Sequence, residues 1–296
     1  MISYFQAIIL GLLQGVTELF PISSLGHTVV LPWLFGWHNI LANETKGESF
    51  YLAFVVMLHV GTALALLLFY RNTWLRIIKG FFSSVARQKI DTPDARLAWL
   101  LILATIPAGL IGVIFEHKLR VIFAKPLDAI CFLAINGVIL LVGDRLLHHK
   151  PAGGEAMDNT VSHVGKALTP GKAIAIGVAQ VGALFAGISR SGVTMVSGLA
   201  SGLNHEDAAR FSFLLATPII LAAGLYKMPD FFGPLGDGVR AQTLVAGVVA
   251  AVAAYFSVKF LDRYFRDKTL RPFAIYCLVA AAVLLLVGLA RGGFAA

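Results

Sequence analysis

The sequence predicts an all-α, polytopic membrane protein made of two inverted repeats. Each repeat is a re-entrant helix pair followed by three transmembrane helices. Three observations carry this. The 296 residues are 58% hydrophobic and only 14% charged, too little polar surface to cover a soluble core of this size. The apolar runs approach the roughly 20 residues a helix needs to cross a bilayer, and they lack the alternation of an outer-membrane barrel. The chain also matches itself at a shift of 166 residues. Gly11 falls on Gly177, Gln14 on Gln180, Ile22 on Ile188, Ser23 on Ser189, Gly26 on Gly192, Thr28 on Thr194 and Val30 on Val196, with Ser24 opposite Arg190.

The first repeat is expected over 1–147. Its N-terminus is apolar at once, with no basic leader and no small-residue cleavage site, and reads as retained structure. Residues 2–19 form an apolar helix that breaks at Phe20, Pro21 and Ile22. Pro21 cannot continue the hydrogen-bond ladder, and Gly26 loosens the backbone further. A second short helix from about 27 to 35 completes a re-entrant pair over 2–36, since neither half is long enough to span. A polar connector, 38–49, precedes spans at 50–70, 97–115 and 127–147, with a basic loop at 71–96 between the first two. Residues 148–170 read as a linker on the cytoplasmic side, and His148 and His149 as solvated loop residues, because no further ligand spacing supports a metal there. The second repeat, 171–296, opens with a re-entrant pair over 171–203 broken at Gly187–Gly192. Its spans are 208–226, 240–262 and 272–290. Three crossings per repeat is odd, so the copies must be inverted, an arrangement whose sites lie near the midplane.

Charge sets the orientation. Of the 24 Lys and Arg residues, 16 fall on the side of the 71–96 loop and seven on the other. The positive-inside rule makes the richer side cytoplasmic and leaves both termini outside. The same rule accounts for the net charge of +8 without nucleic acid. Cys131 and Cys277 sit far apart in apolar runs and read as buried free thiols, with no metal-type spacing.

The chemistry concentrates in QGVTELFPISSLGH, Gln14 to His27. Ionisable residues inside membrane segments are costly and persist mainly for function. Gln14 and Glu18, four apart, share a helix face, and Glu18 lies two residues before the break. Ser23 and Ser24 lie in the break and His27 begins the next half-helix. A carboxylate, a hydroxyl nucleophile and an acid/base are thus within one loop. The alternative is that the serines cap the second half-helix and Glu18 is bound to its amides; for Ser23 alone, capping is the preferred reading. The second break, GISRSG, sets Arg190 among glycines and hydroxyls. A forked, permanently charged donor there suits a phosphate oxygen, with Ser189, Ser191, Gly192 and Thr194 beside it; the alternative is an ion pair of Arg190 with Glu18 across the repeats. His59, in mid-span, is either functional or a helix-packing histidine. Glu206 and Asp207 read as capping residues without chemistry.

These residues carry a resemblance. The motifs QGVTELFPISSLGH and AGISRSG, with the FSFLLATP run at 211–218, resemble the E-G-x-T-E-x-x-P-[IV]-S-S-T-G-H and P-G-x-S-R-S-G motifs of the undecaprenyl-pyrophosphate phosphatase family, the membrane enzymes linked to bacitracin resistance. The resemblance covers nearly the whole chain. It implies hydrolysis of a polyprenyl diphosphate to the monophosphate plus phosphate, recycling the carrier lipid of cell-envelope polymers. It also implies a divalent cation, Mg2+ or Ca2+, held by Glu18, and a multi-pass protein of the bacterial inner membrane with its site facing the periplasm or exterior. Glu18, Ser24, His27 and Arg190 inherit catalytic roles, with either Ser24 or His27 as nucleophile. Gln14, Ser23, Ser189, Ser191, Gly192 and Thr194 inherit substrate contacts. The expected partners are the lipid diphosphate and the bilayer, with a homodimer as one option and no nucleic acid. Gln14 departs from the family's first acid, Leu25 from a hydroxyl residue, Ala186 from a proline and His59 from a glutamine, changes that bear on metal dependence and substrate range. Transport of a prenyl-phosphate head group is the second class of function, and a lipid-binding paralogue without turnover the third.

Overall fold

The structure, a computed structural model, describes residues 2–37, 39–40, 50–123, 125–146 and 157–294, all helical or loop with no strand among them. The connector at 41–49 and the linker positions 147–156, including His148 and His149, lie outside the described residues. The described residues include these α-helices in order: α1 (Tyr4–Thr17), α2 (Ser24–Phe35), α3 (Phe50–Phe69), α4 (Arg71–Arg87), α5 (Pro93–Phe123), α6 (Pro126–Leu146), α7 (Met157–Ala167), α8 (Pro170–Val181), α9 (Arg190–Ala200), α10 (His205–Phe232), α11 (Arg240–Tyr264) and α12 (Arg271–Ala290). Stretches of α5, α6, α10, α11 and α12 are each long and apolar enough to cross a bilayer, and α3 joins α4 at a bend of 87°. The chain is a multi-pass membrane protein.

The short helices are made by local chemistry. Ser3 starts α1 through a capping box with Gln6. Ser23 caps α2 by accepting from the Gly26 amide, and Gly36, at φ 65°, ends it in the left-handed region that glycine tolerates. Pro32 inside α2 has no N–H to offer the Thr28 carbonyl, and the Tyr51 hydroxyl donates to that oxygen instead at 2.8 Å. Ser189 caps α9 through the Gly192 amide, so Arg190 begins this helix. The backbone break in this half therefore precedes Arg190 and does not extend to Gly192.

Two segments read as loop or linker from their charge contain amphipathic helices. In α4, Leu75, Ile78, Phe82 and Val85 are exposed at helical spacing, between the basic residues. Such a helix lies at a membrane surface with its apolar stripe in lipid. In α7, Val161 and Val164 are buried, and Thr160 accepts from Arg210 at 2.9 Å. Nor do Glu206 and Asp207 act as simple caps: Asn204 caps α10, Glu206 pairs with Arg210 at 2.8 Å, and Asp207 lies 3.5 Å from His163.

The packing interleaves the two halves. α1 lies along α11 and α8 along α5, while α3 packs on α10 and α6 on α12. Glycines set the closest approaches. A Cβ on Gly11 would meet the Ala246 backbone, and one on Gly177 the Ala104 backbone. These two glycines are the pair matched at the repeat shift. Bilayer helices gain from such close van der Waals packing because lipid provides little hydrophobic drive between them.

Gly177→Ala is therefore expected to lower the thermal midpoint in detergent, since overpacking costs typically about 1–3 kcal/mol. Gly182→Ala, where a Cβ meets nothing within 4 Å, should leave the midpoint unchanged or raise it. Equal midpoints for the two variants would contradict the close-packing role of Gly177.

Candidate active site

The two breaks meet. Ser23 holds an unusual backbone, φ 71°, and its hydroxyl accepts from the Gly26 amide at 3.2 Å and from the Gly187 amide at 3.1 Å. A Cβ on Gly26 would lie 2.9 Å from the Gly187 Cα, so the breaks touch backbone to backbone. Asn136 of α6 joins them. Its Nδ2 donates to the Pro21 carbonyl at 3.0 Å, and its Oδ1 accepts from the Ser189 amide at 2.9 Å. Ser191 donates to the Phe20 carbonyl at 3.3 Å. Backbone groups freed by a break at membrane depth must find protein partners, and these are some of them.

Glu18 sits where the breaks join, 6% exposed. Ser24 donates to its Oε2 at 2.5 Å, and Gln14 Nε2 donates to the same oxygen at 3.3 Å. His59 Nε2 lies 3.1 Å from Oε2, and Arg190 Nε donates to Oε1 at 3.1 Å. The four partners come from α1, α2, α3 and α9. His59 is held by its Nδ1, 2.8 Å from the Val55 carbonyl. Arg190 is held by its Nη1, which donates to the Ser212 carbonyl at 3.2 Å. Its Nη2 has no hydrogen-bond partner among the described residues.

A cavity of about 350 Å³ opens in front of this group, lined by Glu18, Ser24, His59, Ser189 and Arg190, with Gln180 and Lys227. Ser24 and Arg190 are also the first residues of α2 and α9, so two helix N-termini converge here. First-turn amides lack intrahelical partners and the helix dipole is positive at that end, which favours an anion.

The sequence-predicted residues divide in two. Glu18, Ser24, Arg190 and Ser189 line the cavity. Gln14, Ser23, Ser191, Gly192 and Thr194 are buried behind it and brace the breaks; Thr194, for example, bonds the Arg190 carbonyl at 2.8 Å and the Ser212 hydroxyl at 2.7 Å. His27 is turned away. Its Nδ1 lies 2.7 Å from the Ser23 carbonyl and its Nε2 2.8 Å from the Tyr276 hydroxyl, so it does not stand beside Ser24 as an acid/base. The Arg190–Glu18 ion pair weighed from the sequence is present and lies in the site itself. His59 contacts Glu18 and lines the cavity. Gln180 and Asn136 carried weaker signals, a match to Gln14 at the repeat shift and a lone amide in an apolar run.

A divalent cation finds a poor donor set. Among the described residues Glu18 is the one carboxylate lining the cavity, and its oxygens already face a guanidinium, an imidazole, a hydroxyl and an amide. Among the described residues no group of three His, Cys, Asp or Glu could hold a metal. Hard cations need several such oxygens, which this donor set does not supply.

The family profile described as "Bacitracin resistance protein BacA" matches residues 7–283. The chain is 50% identical to the undecaprenyl-diphosphatase of Mycolicibacterium paratuberculosis over 295 aligned residues, covering 94% of this chain and 95% of that one. It is 46% identical to undecaprenyl-diphosphatase 2 of Frankia alni, covering 95% and 97%. It is 45% identical to undecaprenyl-diphosphatase 1 of Burkholderia pseudomallei, covering 92% of each chain.

Proposed function

This chain belongs to the bacitracin resistance protein BacA family, and from that premise we propose that it is an undecaprenyl-diphosphatase working through Ser24, Glu18 and Arg190. The observation that carries the reading is that one cavity brings a hydroxyl, a carboxylate bonded to it and a partly unpartnered guanidinium together between two helix N-termini. The terminal phosphate sits against Arg190 Nη2 and the first-turn amides of α2 and α9. Phosphoryl transfer depends mainly on such positioning and charge stabilisation.

Ser24 Oγ attacks the terminal phosphorus and its proton passes to Glu18 Oε2. The bond from that phosphorus to the bridging oxygen breaks, and the oxygen leaves with the electron pair on the lipid monophosphate. Water then attacks the phosphoserine, releasing inorganic phosphate and restoring the Ser24 hydroxyl. One water is consumed per diphosphate. His59 and Gln14 position Glu18 so that Oε2 faces Ser24. His27 positions the first turn of α2 through the Ser23 carbonyl. Glu18, already engaged by Arg190, His59, Ser24 and Gln14, would leave a divalent cation no free carboxylate in this cavity.

The finer architecture belongs to the same proposal. Two inverted repeats, 1–147 and 171–296, are supported by the reciprocal packing of α1 on α11 and of α8 on α5. The charge distribution supports a plasma-membrane protein with the 71–96 side in the cytoplasm and the site reached from the opposite face. A second copy of the chain is not needed to complete the site.

Ser24→Ala should lower phosphate release from undecaprenyl diphosphate by at least about a thousandfold, as expected for a lost nucleophile. Acid quenching of the parent enzyme during turnover should trap phosphate on the peptide bearing Ser24. Phosphate mapped to His27, or near-parental turnover by the Ala variant, would overturn the assignment.

Orientation has its own test. With Cys131 and Cys277 replaced, Asp91→Cys in the exposed turn after α4 should resist a membrane-impermeant thiol reagent added to intact cells. Rapid labelling would invert the topology and the face from which substrate enters.

A further inference from the structure

We propose that the polyprenyl chain of the substrate leaves the cavity sideways into the bilayer, between α5 and α10. This rests on the phosphatase reading above and adds to it a place for the lipid tail. Ligand pockets of roughly 300–1,000 Å³ enclose drug-sized molecules, and this cavity, at about 350 Å³, is at the small end. It holds a diphosphate and the first carbons beyond it. The remainder of an undecaprenyl chain must pass through a wall, and an apolar chain is stable only if that wall opens onto lipid.

The wall between α5 and α10 has the right chemistry. On α5 it is made by Ala108, Gly109, Gly112 and Val113, and on α10 by Ile219, Ala222, Ala223 and Tyr226. Both sets recur at three- and four-residue spacing, so each is one helix face. Val113 and Tyr226 are 58% and 54% exposed, and Ala222 and Ala223 are exposed as well. The cavity therefore reaches the outer apolar surface at this point.

Gly109 and Gly112 differ from the packing glycines of this fold. A Cβ on Gly109 would come no nearer than 3.7 Å to the Ile219 side chain, and one on Gly112 no nearer than 3.9 Å to Leu184. No backbone presses against them, so close helix packing does not explain them. They keep a gap open. An independent feature points to a ligand in the same space. Gln180 is 3% exposed, lines the cavity, and neither its Oε1 nor its Nε2 has a hydrogen-bond partner among the described residues. A buried amide without partners is costly, and a bound phosphate or phosphate ester would supply an acceptor for its N–H groups. Lys227 stands beside Tyr226 on the same lining, 15 residues along α10 from Ser212, whose carbonyl holds Arg190. That separation is about 22 Å along the helix axis. The groove thus runs from the guanidinium outward along α10.

The test compares tails. Ala223→Trp and, on the facing wall, Gly112→Phe should each lower kcat/KM for undecaprenyl diphosphate in proteoliposomes by at least about tenfold. Dimethylallyl diphosphate, whose tail ends inside the cavity, should be hydrolysed within about twofold of the parent rate. Leu285→Trp, on the lipid-facing side of α12, should change neither. Equal losses on both substrates in both variants, or no loss on either, would overturn the groove. A readout without turnover separates this failure from failure of the phosphatase reading. A photoreactive prenyl monophosphate bound to the parent protein should label peptides containing Val113 or Ala223. Labelling confined to other faces overturns the groove even if phosphate is released, and labelling here sustains it even if phosphate is not.

Discussion

The structure depends on how one carboxylate is accommodated inside the membrane. A buried ionised group costs several kcal/mol unless it is paired and hydrogen-bonded. Glu18 meets that demand with Arg190, His59, Ser24 and Gln14. These partners come from both broken segments and from α3, so satisfying Glu18 also fixes the two halves against each other. On the proposed mechanism the same contacts carry the chemistry. The hydroxyl that stabilises the carboxylate is the proposed nucleophile, and the guanidinium that neutralises it keeps one buried nitrogen without a hydrogen-bond partner among the described residues. On the proposed mechanism, this ion pair exchanges a protein contact for a phosphate.

The breaks exist to place backbone and side chains where intact helices could not. Pro21 stops α1 before it spans, and Ser23 turns the chain through a left-handed conformation that favours few side chains. Ser23 holds Gly187 of the other break, and Asn136 takes one group from each. Removing such a bridging amide leaves buried donors and acceptors unmet, at about 1–3 kcal/mol each. Specific hydrogen bonds thus hold in register what hydrophobic packing alone would leave free to slide.

Much of this was legible in the sequence because membrane burial makes polar residues conspicuous. Glu18, Ser24 and Arg190 stand out in apolar surroundings, and the long helices follow from run length. Direction was not legible. His27 follows Ser24 by three residues, yet its ring turns to the Ser23 carbonyl and Tyr276, because local backbone and a distant helix decide that rotation. His59 was ambiguous for the same reason: a single mid-span histidine does not say what it faces. The helices α4 and α7 hid behind their charge, since basic residues dominate a reading by hydropathy while the apolar stripe between them determines the fold. Gly112 and Ala223 carry no polar signal. Their role emerges only when the cavity is seen to be too small for its ligand.

Glu18 joins the breaks and, on the proposed mechanism, takes the proton from Ser24. Glu18→Gln keeps the size and the hydrogen-bonding capacity of the side chain while removing its charge and basicity. General-base action is worth about a hundred- to ten-thousandfold in rate. Phosphate release from undecaprenyl diphosphate by folded, purified Glu18→Gln protein should fall by that amount. A variant turning over within about tenfold of the parent would show that Glu18 is structural alone, and would contradict the mechanism at its centre.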